Sequence, residues 1–182
     1  MLLDEGVLHF WFLAKGTMKE IFGKHVQDFD EVRRLCLICH GLERTGDILF
    51  TDSTYNNKTN CTERVYKNLA SGALLNLAVS MRINLYQDGR INLDTSKLTH
   101  CGFYYCDHEL IGQEFSLKDI CDKIIHANTV SKEVIPQEVV GSSKSTIQFK
   151  GVHHKRSWTL DLSIELFVEA VLNLLDELET SR

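Results

Sequence analysis

The chain has 182 residues, a formal net charge of −5, and 43% hydrophobic and 25% charged residues. That is ordinary globular material for one hydrophobic core in a single domain over 1–182. The acidic balance gives no global attraction to nucleic acid or to an anionic membrane, so such a contact would need a local basic patch.

In chain order, Val7 to Phe22 carries a broad apolar face (Val7, Phe10, Trp11, Leu13, Ala14, Met18, Ile21, Phe22) and reads as a helix, or a helix broken near Gly16. A second helix begins near Asp28, with Asp28 or Asp30 as cap and Val32, Leu35, Cys36, Cys39 and Leu42 recurring at helical spacing. The polar run Asp52 to Thr62 reads as a loop. From Glu63 to Tyr86 a third helix is apolar nearly all round in its middle, Ala73 to Met81, which predicts that it runs through the centre of a bundle. Asp88-Gly89 ends it, and Arg90 to Gly112 lacks a helical period, as short strands or a long loop would.

A fourth helix starts at Ser116 as N-cap with Asp119 three residues on, and should run to Ala127 or Asn128. Thr146 to Lys150 and Ser157 to Leu162 alternate apolar and polar residues as two strands of a hairpin, with Gly151 to Arg156 as its tip. An amphipathic helix over 163–180 closes the chain, burying Leu166, Phe167, Ala170, Val171, Leu174 and Leu175 or Leu178. The expected fold is therefore mainly α. A bundle occupies 1–130, a small β-hairpin 145–162 and a terminal helix 163–180, about five helices in all.

No segment reaches the roughly 18 apolar residues of a membrane span, and Asp4 and Glu5 stand where a secretory signal carries base. The expectation is a soluble cytoplasmic protein without a membrane partner. Six cysteines in such a chain predict reduced thiols. Cys36-x2-Cys39-His40 and Cys101-x4-Cys106-Asp107-His108 have the look of two metal half-sites, and the former also of a haem-attachment string. Cys36 and Cys39 fall on the apolar face of a predicted helix, where cysteine acts as a small hydrophobe, so neither metal nor other cofactor is expected.

Asp122 and His126 are four residues apart on the fourth helix, with Lys123 beside them. A histidine so placed can move protons, provided a cation stabilises the charge that develops, and equally it can simply finish a helix at its negative end. Arg82 lies within the apolar third helix and predicts an ion pair to an internal carboxylate, Asp122 or Asp119. The only concentrated basic run, Lys150-Gly151-Val152-His153-His154-Lys155-Arg156, could meet phosphates, with Trp158 stacking on a base or else anchoring the hairpin to the core.

A helical bundle with Cys121-Asp122-x3-His126 on a late helix resembles the HEPN superfamily, whose signature is an arginine, a polar residue, three others and a histidine. The best-known members are metal-independent endoribonucleases of bacterial and phage conflict systems. The resemblance implies an RNA-acting homodimer, with a cognate protein partner where such a system uses one. His126 would be the general acid/base, Asp122 its orienter, and Arg82 or Lys123 the phosphate-side cation. Cys121 stands where the family's arginine is expected, so another cation must take that role, or the chain is a non-catalytic binding module. In that second reading its working surface is the hairpin tip or an exposed helix face.

Overall fold

The computed structural model describes residues 28–46, 48–49, 60–87, 98–112, 115–133 and 146–180. The helix expected over Val7 to Phe22 and most of the loop expected over Asp52 to Thr62 lie outside them. Helix α1 (Phe29–Gly46) opens where the sequence places its cap: Asp28 Oδ1 accepts the Glu31 backbone N–H at 2.8 Å. Val32, Leu35, Cys36 and Cys39 form its buried stripe. Helix α2 (Asn60–Gln87) packs on α1, and α3 (Leu117–Ile125) packs on α2 from the same side.

That one-sided packing overturns the expectation of a central α2. Leu74, Leu77, Ala78 and Met81 are at most 3% exposed, whereas Val65, Leu69, Leu75 and Val79 on the opposite side are 39–57% exposed. An apolar stripe of such a helix shows where neighbours can sit, not how many sides they occupy.

The larger correction is to the fold class. The described residues hold four helices and a five-stranded antiparallel sheet, a mixed α/β architecture instead of a bundle with a hairpin attached. Strands β6 (Thr146–His153) and β7 (Arg156–Leu162) are the expected hairpin. Three short strands extend it on both sides. β2 (Gly102–Cys106) and β3 (Glu109–Gly112) add beyond β7, and β5 (Thr129–Glu133) adds beyond β6, giving the order β3-β2-β7-β6-β5. A two-stranded pair of β1 (Leu98–Thr99) and β4 (Phe115–Ser116) lies outside that sheet.

The turns explain why these strands form. β2 and β3 are joined by Asp107-His108 (φ 49° and 72°), and β6 and β7 by His154-Lys155 (φ 49° and 67°). Two consecutive positive φ values make the two-residue turn whose twist matches antiparallel strands. The residues used are not the glycine and asparagine that advertise such a turn in sequence.

Ser116 caps α3 by accepting the Asp119 N–H at 3.1 Å, and its hydroxyl donates to Asp119 Oδ2 at 2.6 Å, closing the predicted box with aspartate in place of glutamate. Helix α4 (Ile164–Thr180) begins at the cap Ser163, whose Oγ accepts the Leu166 N–H at 3.4 Å, and it packs on α1. Ile147 and Phe149 of β6 and Trp158, Leu160 and Leu162 of β7 face the helices and complete one core with α1 to α4. By strand alternation the other face carries Gln148, Lys150, Thr159 and Asp161, with Phe103 and Tyr105 of β2 beside them.

Candidate functional site

The four residues expected to act together on α2 and α3 divide into three settings. Arg82 Nε lies 2.8 Å from Asp122 Oδ1, and Lys118 Nζ 3.7 Å from Asp122 Oδ2. The ion pair predicted for Arg82 is thus present. Lys123 turns the other way, donating to the Tyr104 hydroxyl at 3.0 Å with its ammonium over the Tyr104 and Trp158 rings at 4.6 and 4.7 Å. His126 is the C-cap of α3: its backbone N–H donates to Asp122 O at 3.0 Å, and its imidazole is exposed. Among the described residues the imidazole makes no hydrogen bond or ion pair with Asp122, Arg82 or Lys123.

The basic run sits at one end of the sheet. His153, His154, Lys155 and Arg156 are exposed around the β6–β7 turn, with the two imidazole rings 4.1 Å apart. The β2–β3 turn is fastened next to them. Asp107 Oδ1 accepts the Ser157 N–H at 2.9 Å and the Ser157 hydroxyl at 3.2 Å, and Asp107 N donates to Ser157 O at 2.9 Å. Trp158 is only 3% exposed, and a Cβ on Gly151 would collide with its indole ring. It anchors the hairpin and has little ring area to offer a base. Lys150 points to the opposite face of the sheet and is exposed there.

That opposite face holds what the sequence reading missed: a cavity of about 780 Å³ lined by Tyr105, Thr129, Gln148, Lys150, Thr159 and Asp161 among others, with His108 among its lining residues. Gln148 is 8% exposed, and its Nε2 donates to Asp161 Oδ1 at 2.8 Å. A carboxylate only accepts, so this bond fixes which end of the amide is which. The carbonyl Oε1 is buried with no hydrogen-bond partner. An unmet buried acceptor costs about 1–3 kcal/mol and asks for an explanation. The alternation of Thr146 to Lys150 already put Gln148 and Lys150 on one face; the missing signal was which face β2 and β5 would wall in.

The cysteines behave as core. Cys36 and Cys39 are buried on α1, and burial pushes both thiols up to about 12. Burial raises Cys121 as well. Cys101 is buried just before β2 and Cys106 ends that strand. Among the described residues no three histidine, cysteine or acidic side chains converge on a point, and no helix is long and apolar enough to cross a membrane.

No protein-family model matches the chain, and neither a curated protein nor a solved structure matches it.

Proposed function

We propose that the protein binds single-stranded RNA without cleaving it, along the open sheet face and the β6–β7 tip. The observation that carries this reading is the position of Lys150, which belongs to the basic run and also lines the cavity. Phosphates held at Lys155 and Arg156 would place the adjoining nucleotides over that cavity. Lys150, Lys155 and Arg156 make no ion pair among the described residues, so their charge is available to a ligand. His154 and Lys155 occupy positive φ, where glycine and asparagine are at ease. Residues kept in unfavourable backbone regions concentrate at functional sites.

Binding is supported over cleavage by the α2–α3 geometry. Arg82 is engaged with Asp122, Lys123 with two aromatic rings, and the His126 imidazole bonds to neither cation. A phosphoryl-transfer site needs acid, base and cation converging on one group.

The test is fluorescence anisotropy of a labelled short single-stranded RNA without metal, with the RNA then run on a denaturing gel. Intact RNA bound by the wild type, at least about tenfold more weakly by Lys155→Glu/Arg156→Glu, and more weakly as salt rises, is the expected result. Cleavage that disappears in His126→Ala would replace this reading with a HEPN-type nuclease. An absence of binding at micromolar protein would remove RNA altogether.

A further inference from the structure

Resting on that RNA-binding reading, we infer that the sheet cavity recognises one base, and that the base is guanine. Two acceptors and one cation stand together on this face. Gln148 Oε1 is buried and unsatisfied, the Asp161 carboxylate is held beside it through the Gln148 amide, and Lys150 follows two residues along the same strand, roughly 7 Å away. Thr159 faces Lys150 across the β6–β7 pair, and Tyr105 faces Thr159 across β2–β7.

The ligand must bring an N–H or O–H to Gln148 Oε1, because that is the group the fold buries without a partner. It must also place a second donor near the carboxylate and an acceptor near the ammonium. The Watson–Crick edge of guanine has this order: an amino N–H, a ring N–H, then a carbonyl. Adenine and cytosine each put only their amino donor beside acceptors, and uracil flanks one N–H with two carbonyls, so none of them satisfies both acceptors and the cation. Tyr105, on the same face, supplies an aromatic surface against which a base plane can lie. Single-stranded RNA presents that edge freely, whereas a duplex hides it.

The fixed amide orientation matters here. Were Gln148 reversed, its carbonyl would face the Asp161 carboxylate and its unpartnered end would be a donor, and the site would ask for an acceptor instead. The 2.8 Å bond from Nε2 to Asp161 Oδ1 makes the unpartnered end of the amide an acceptor.

The test uses the full chain and a set of uridine-rich RNAs of equal length, differing at one central position: guanosine, inosine, adenosine or uridine. The wild type is expected to bind the guanosine RNA about ten- to a hundredfold more tightly than the adenosine or uridine RNA, with inosine, which lacks the amino donor, in between. Gln148→Met keeps the side chain's length but removes the acceptor, and should flatten the series, bringing the guanosine RNA to within about threefold of the uridine RNA. Should that variant fail to fold, the inosine and adenosine substitutions still decide the matter without any protein change. Equal wild-type affinity for all four RNAs overturns the guanine pocket and leaves the RNA-binding reading standing. No wild-type binding to any of them overturns that reading, and the pocket with it.

Discussion

Arg82 and Asp122 meet at 2.8 Å across α2 and α3, with side chains 14% and 32% exposed, so the only charged residue between Val79 and Gln87 of α2 is held by the helix that carries His126. A guanidinium so little hydrated loses much when its carboxylate is removed. Asp122→Asn should cost about 2 kcal/mol in urea unfolding and Arg82→Met a similar amount. The double variant should cost less than the sum, by about 1 kcal/mol or more, since each single change already breaks the shared contact. Strict additivity would show the contact to be energetically idle.

Helix α2 gives a contrast within one element. Leu77 is 0% exposed and Leu69 is 57% exposed. Leu77→Ala should lower unfolding free energy by about 2–5 kcal/mol through lost burial and a cavity, while Leu69→Ala should stay within about 0.5 kcal/mol. Equal effects would mean that the outer stripe is as well packed as the inner one, and the one-sided arrangement of α1 and α3 would be wrong.

Much of the local structure was legible because it rests on short-range chemistry. Asp28 and Ser116 act as the caps their positions suggest, the β6–β7 hairpin follows its alternation, and Arg82 finds one of the two carboxylates proposed for it. The sheet was not legible for a specific reason. β2 and β5 have five residues each and β3 four, too few for a clear period, and the β2–β3 turn uses Asp107 and His108. The site suffered most from this. Gln148 and Lys150 look like the wet side of a small hairpin until β2 and β5 flank them, and only then do they line a cavity.

The β6–β7 turn separates stability from binding. His154 and Lys155 at φ 49° and 67° occupy a conformation that asparagine and glycine adopt more easily. His154→Asn and Lys155→Gly should each stabilise the fold by about 0.5–1 kcal/mol, seen as a rise in Tm. On the proposed reading Lys155→Gly should also weaken RNA binding several-fold and lower the salt dependence by about one phosphate contact. A variant that is more stable and binds as well as before would show that Lys155 is kept for neither purpose.

The buried thiols of α1 predict how stability responds to alkali. Burial lifts Cys36 and Cys39 from an ordinary 9.0 to about 12. Above pH 9 the unfolded chain gives up protons that the folded chain retains, so the unfolded state binds fewer protons and stability falls as pH rises. The contribution is complete below about 9 and is lost between about 9 and about 12, at about 1.4 kcal/mol per pH unit for each thiol. Cys36→Ala removes one such thiol. It should cost about 1–2 kcal/mol near pH 7, where only packing is lost, and that penalty should shrink by about 1 kcal/mol near pH 10. Urea unfolding of both proteins at the two pH values measures it. A penalty that is the same at both would mean that Cys36 ionises as readily in the folded protein as in the open chain, which its 0% exposure does not allow.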